Sequence, residues 1–186
     1  MSELDSVGLV EVSSIALGHL AEDAMLKAAP VDLLLARTIC SGKFLVVVGG
    51  DVASVESSVD AGAAAVGRAV IEKRVISHVH PSVFPAISTA VALEPGEARA
   101  LGVVETFSAS SIVDVADTAA KSADVTLFRI HLAMAIGGKG YVMMTGDVAS
   151  VEAAVQASSA VAAEEGILVG YAVIAAPRKE LFRDFV

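Results

Sequence analysis

The chain has no tryptophan, a single cysteine (Cys40), five prolines, and aromatics at only 4% of its 186 residues. One thiol excludes an intrachain disulfide, so Cys40 is either inert or acts together with copies of itself from other chains. No apolar run approaches the roughly 18–20 residues of a membrane-spanning helix. The opening Met1–Ser6 stretch lacks the basic region and apolar core of a secretory signal, so a soluble cytoplasmic protein is expected. Basic residues are outnumbered, 13 against 22, for a net charge of −9, and no Lys/Arg run is present. That argues against nucleic-acid binding through phosphate contacts. There is no G-x-G-x-x-G, HxxxH or HExxH pattern, which removes the usual phosphate cradle and helix-borne zinc site. The four histidines (His19, His78, His80, His131) are not expected to be catalytic; His78 and His80 fall on one face of a presumed strand. No enzyme activity is expected.

What the chain does have is repetition. Gly50-Asp51-Val52-Ala53-Ser54-Val55-Glu56 returns as Gly146-Asp147-Val148-Ala149-Ser150-Val151-Glu152, position 146 against 50, an offset of 96. Gly8-Leu9-Val10-Glu11 answers Gly102-Val103-Val104-Glu105, and Lys27 answers Lys121, at an offset of 94. The chain is therefore a tandem duplication. The change of offset places a two-residue gain between 132 and 137, and length changes between copies fall in loops. The tip of that loop is Cys40-Ser41-Gly42-Lys43 in the first copy and Ile136-Gly137-Gly138-Lys139 in the second. The domains are expected at 1–93 and 101–186, joined by a linker at 94–100 that contains Pro95-Gly96.

The composition is 55% hydrophobic and rich in Ala and Val, which suits close-packed helices on a sheet and a chain that associates. In the first copy, strand patterning covers 7–14, 31–39, 44–49 and 70–80. A helix over 15–28 ends before Pro30, with Ile15, Leu17, Leu20, Ala24, Met25 and Ala28 facing inward. Asp51 is the N-cap of a second helix with an apolar stripe of Val52, Val55, Val59, Ala63 and Val66. A short closing helix spans 81–92. The second copy repeats this with strands 101–107, 125–134, 140–145 and 167–175, helices 110–123 and 147–164, and a tail helix after Pro177. Each copy is β-α-β-β-α-β-α: two crossovers enclosing a hairpin, with helices covering one face of a mainly antiparallel four-stranded sheet. The fold class is α/β of the α+β kind.

That element order resembles a bacterial microcompartment (BMC) shell domain. So do the Gly-(Leu/Val)-Val-Glu strand, the Lys ending the first helix, the Gly-Lys loop tip and Gly-Asp-Val-x-x-Val-Glu at a helix start. The duplication resembles a tandem-domain shell protein in the ordinary, unpermuted strand order. Arg37-Thr38-Ile39-Cys40-Ser41-Gly42-Lys43-Phe44 is similar to the Lys-Thr-Ile-Cys-Pro-Gly-Lys-Phe segment of T-type subunits from propanediol-utilisation microcompartments. Ser41 stands where that segment has Pro.

The resemblance implies a homotrimer that imitates a hexamer, tiles into the shell with other BMC shell proteins, and is lined at its pore by Ser41, Gly42, Lys43, Ile136, Gly137, Gly138 and Lys139. It further implies that Cys40 from three chains holds one [4Fe–4S] cluster in the central pore for electron transfer, with an enclosed redox enzyme as a partner. Lys27 and Lys121 would lie at the edges between trimers. Read from the residues alone, a lone Cys such as Cys40 is more often a small buried hydrophobe than a ligand, Gly42 and Gly138 are turn glycines with φ > 0, and Lys27 and Lys121 are solvated lysines complementing helix dipoles. A metal-free pore for a small metabolite and a purely structural tile are the alternatives.

Overall fold

A computed structural model describes residues 4–94, 96–134 and 136–185. Pro95 of the expected linker and the outer domain limits at 1 and 186 lie outside them. The first copy forms β1 (Ser6–Val12), α1 (Ile15–Ala28), β2 (Asp32–Ile39), β3 (Lys43–Gly50), α2 (Val52–Val66), β4 (Val70–Ile76) and α3 (Val83–Ser88). The second forms β5 (Ala100–Thr106), α4 (Ser111–Ser122), β6 (Thr126–Leu132), β7 (Gly140–Gly146), α5 (Val148–Glu164) and β8 (Leu168–Ile174).

The two sheets run β2-β3-β1-β4 and β6-β7-β5-β8, with every pairing antiparallel. Each β-α-β crossover therefore straddles one strand, the split βαβ arrangement. The duplication extends to the irregularities. The β1/β4 register shifts after Glu11 and the β5/β8 register after Glu105. The β2/β3 register shifts between Leu33 and Leu35, and β6/β7 between Leu127 and Arg129.

The recurring glycine of the first strand has a packing cause. A Cβ on Gly8 would collide with Val55 and Val59 of α2, and one on Gly102 with Val151 and Val155 of α5. Each second helix can cross its central strand closely only because that position carries no side chain. The core of the first unit is Val10, Val12, Phe44, Val46 and Val48 of the sheet with Met25, Val55 and Val59 of the helices. In the second unit Leu93 and Phe182 pack on Leu101 and Phe128. Among the described residues no helix is long and apolar enough to cross a membrane.

Four sequence expectations change. The buried face of α1 is Gly18, Ala21 and Met25, while Ile15, Leu17, Leu20 and Ala28 are exposed. The reason is close contact: Gly62 of α2 lies against Met25, and Gly18 against Phe44. The strand expected to reach His80 stops at Ile76. His78 follows in a left-handed conformation (φ 55°) with its ring 3.2 Å from the Asp5 carboxylate, so His78 and His80 lie beyond the strand. The closing helix shortens to Val83–Ser88, and the tail is a single 3-10 turn, Lys179–Phe182. The chain divides into its two compact units between Phe84 and Pro85. Residues 85–93 go with the second unit because the Val91 and Leu93 N–H groups donate to the carbonyls of Phe128 and Phe185.

Candidate functional site

The two hairpin tips carry the residues singled out in the sequence. In the first, Ile39 and Lys43 form the last rung of the β2/β3 ladder, and Cys40–Gly42 closes it as a tight turn. Ser41 (φ 63°, ψ 29°) and Gly42 (φ 72°) are both left-handed. Two successive positive φ values close this three-residue loop in the left-handed sense that a glycine at the second position accommodates. Ser41 and Gly42 are exposed, and Cys40 is half-buried and in no disulfide. A methyl group built on Gly42 would touch nothing, so the tip is slim.

The second tip is longer, residues 133–139, and it absorbs the two-residue gain. The Ala133 N–H donates to the Lys139 carbonyl at 3.0 Å, closing the loop. Ala133, Gly137 and Gly138 all have positive φ. Ile136 is half-buried and lines a shallow depression with Val103, Glu105, Tyr141 and Met143.

Both loop lysines are tethered to their sheets. Lys43 Nζ donates to Glu11 Oε1 at 2.7 Å, and Lys139 Nζ donates to Glu105 Oε1 at 3.0 Å. The register explains the match: Glu11 lies opposite Leu45, two residues from Lys43, and Glu105 lies opposite Tyr141, two residues from Lys139. A lysine side chain spans that diagonal. The first pair is the more enclosed, with the Glu11 side chain only 8% exposed against 36% for Glu105. The sequence reading counted these glutamates as strand motif and the lysines as pore lining, and missed that they are partners. The available signal was that each Glu and each Lys recurs at matching positions in both copies.

The same holds at the helix ends. Lys27 donates to Asp23 at 2.7 Å and Lys121 to Asp117 at 2.6 Å, both one helical turn apart and in matching positions. Asp51 caps α2 by accepting from the N–H and hydroxyl of Ser54. Asp147 caps α5 through Ser150 in the same way. The Ser54 hydroxyl and then its N–H hold the Asp51 carboxyl below the usual range; for Asp147 the order is the Ser150 N–H and then its hydroxyl.

The histidines serve as packing and local hydrogen-bonding groups. The His19 ring lies 4.6 Å from Phe44, and His131 stacks on Tyr141 at 4.9 Å. Among the described residues no three or more His, Cys, Asp or Glu side chains gather closely enough to hold a metal ion. One chain thus offers one thiol, on a turn, and among the described residues no completed metal site.

Comparison with known proteins gives a consistent picture. The BMC domain family matches residues 6–82 and 100–177. The chain is 42% identical to the bacterial microcompartment shell protein PduT of Citrobacter freundii over 97% of each. It is also 42% identical over 77 residues to the shell protein PduA of the same organism, covering 41% of this chain and 81% of PduA. A crystal structure of a microcompartment protein from Desulfitobacterium hafniense superposes with a TM-score of 0.93 at 50% identity, over 97% of this chain and 99% of that one. A fused permuted hexameric shell protein shares the fold alone, with a TM-score of 0.59 and 22% identity over 85% of this chain and 83% of that one.

Proposed function

This chain belongs to the BMC domain family, and from that premise we propose that it is a non-catalytic trimeric tile of a bacterial microcompartment shell whose three Cys40 turns meet at a pore. The BMC domain matches twice, at 6–82 and 100–177, and a 77-residue stretch of this chain matches 81% of PduA, so three chains would supply six such domains. Such a trimer sits in one sheet with other BMC shell proteins.

The observation that carries the pore reading is the first hairpin tip. The chain's one thiol sits half-buried on a slim turn, beside exposed Ser41 and Gly42. A [4Fe–4S] cluster is normally held by cysteine thiolates. One chain supplies a single thiolate and does not fit such a group alone, whereas three chains on a threefold axis fit three of its corners. When bound, the cluster supplies a one-electron relay through the wall. The chain's own contribution is to present Cys40 as the ligand, keep bulk away from the axis at Gly42, and close the pore to solutes. The second tip, with Ile136, Gly137 and Gly138, adds lining and no ligand. Electrons passed this way would serve a redox enzyme enclosed by the shell.

Anaerobic iron–sulfide reconstitution, read by visible absorption, EPR and iron analysis, tests this. The expected result is a cluster signal with about four irons per trimer, absent from Cys40→Ala although that variant still forms trimers. A wild-type protein with no Cys40-dependent signal overturns the redox reading. Shells carrying Cys40→Ala would then distinguish a metabolite pore, which changes permeability, from a plain tile, which changes nothing.

A further inference from the structure

The geometry points to the Glu11–Lys43 ion pair as the positioning device of the Cys40 turn, an inference that rests on the pore reading above. The turn has only two covalent feet, Ile39 and Lys43, and these are partners on the terminal rung of the β2/β3 ladder. β2 is an edge strand, so the Ile39 foot has a strand neighbour, β3, on one side only, with its side chain buried. The Lys43 foot is held twice: by the ladder, and by its ammonium donating at 2.7 Å to Glu11 on the central strand β1. Glu11 is itself fixed between β3 and β4, opposite Leu45 and Glu72. Its side chain is 8% exposed, so its carboxylate is held in place and the lysine folds back onto the sheet. The loop cation therefore points to the sheet and braces the turn. That leaves the tip with a small, uncharged outline of Ser41 and Gly42 beside the thiol.

The second copy is an internal control. Lys139–Glu105 repeats the tether at 3.0 Å, but under a loop that has no thiol. A general contribution to stability would come from both pairs. A positioning role toward sulfur belongs to the first pair alone.

The experiment uses full-length trimers of wild type, Lys43→Met and the control Lys139→Met, with assembly followed by light scattering and folding by circular dichroism. In cluster-free protein, the rate of Cys40 labelling by a maleimide is expected to rise several-fold in K43M and to stay at the wild-type value in K139M. In reconstituted protein, K43M is expected to bind less iron per trimer and to show an altered EPR spectrum. The charge-swapped double variant E11K/K43E is expected to return both readouts toward wild type. Glu11→Asp, which keeps both charges and retracts the carboxylate by one methylene, takes the place of K43M should that trimer fail to assemble. Its labelling rate should move in the same direction. Wild-type labelling in K43M or E11D, or an equal change in K139M, overturns the inference. If wild-type protein takes up no iron, the proposed cluster fails, while the labelling comparison still decides whether Glu11 and Lys43 brace the turn.

Discussion

Asp51 and Asp147 each give one oxygen to a serine N–H and the other to the same serine's hydroxyl, at the first turn of α2 and α5. Both carboxyls are held below their ordinary value of 3.8 by those bonds, so folding favours the ionised form. The stabilisation is fully present above the unfolded carboxyl range and is lost as pH falls through the lowered folded value. Asp51→Ala is therefore expected to lower the melting temperature at neutral pH, with the gap from wild type narrowing as pH falls below roughly 4. Melting curves across that range check it; a gap independent of pH would assign the loss to something other than the charged cap. These caps were legible because capping is local, an Asp followed three residues later by its Ser. The Glu11–Lys43 pair was illegible for the opposite reason. Its members are 32 residues apart, and only the register of two strands brings them together.

At the scale of elements, α1 shows where hydrophobic periodicity misleads. Large residues such as Ile15, Leu17 and Leu20 carry the strongest apolar signal, yet the buried stripe is Gly18, Ala21 and Met25. Close helix–helix and helix–sheet contact selects small residues, which contribute little to such a pattern. The end of the same helix was plain in the sequence, because it stops before Pro30; its start is set by Ser14, which accepts from the Leu17 N–H although the sequence pattern put it in the preceding strand. The Cys40 hairpin was legible as a short glycine-bearing turn, but its type was not. Ser41 adopts φ 63°, a conformation closed to the proline of the resembling segment, whose ring holds φ near −65°. Ser41→Gly should raise stability by about 0.5–1 kcal/mol, since left-handed strain outweighs glycine's extra chain entropy. Ser41→Pro should rebuild the turn and change Cys40 labelling. Chemical denaturation and maleimide kinetics read the two outcomes, and a Pro variant that labels and unfolds like wild type would contradict this turn.

Over the whole molecule, the duplication was the clearest feature of the sequence, and it recurs in strand order, bulges, caps and ion pairs. The reach of each closing segment was less clear. Residues 85–93 join the second unit through hydrogen bonds to Phe128 and Phe185, which are distant in the sequence. Under the proposed function, Lys27 and Lys121 belong to contacts between tiles. The Lys27 side chain is 74% exposed and its ion pair to Asp23 lies within the same helix, so its loss costs the isolated trimer little. Lys27→Ala is accordingly expected to leave trimers intact in light scattering but to disorder the sheets seen by electron microscopy. Unaltered sheets would remove that role.

The two tips differ although the scaffold beneath them is the same, and the fusion is what permits it. A ring assembled from one kind of unit must display whatever its turn carries at every station. Joining two units in one gene ends that obligation. In the proposed trimer one turn keeps its thiol while its twin lengthens without one, so thiols would appear at alternate stations only.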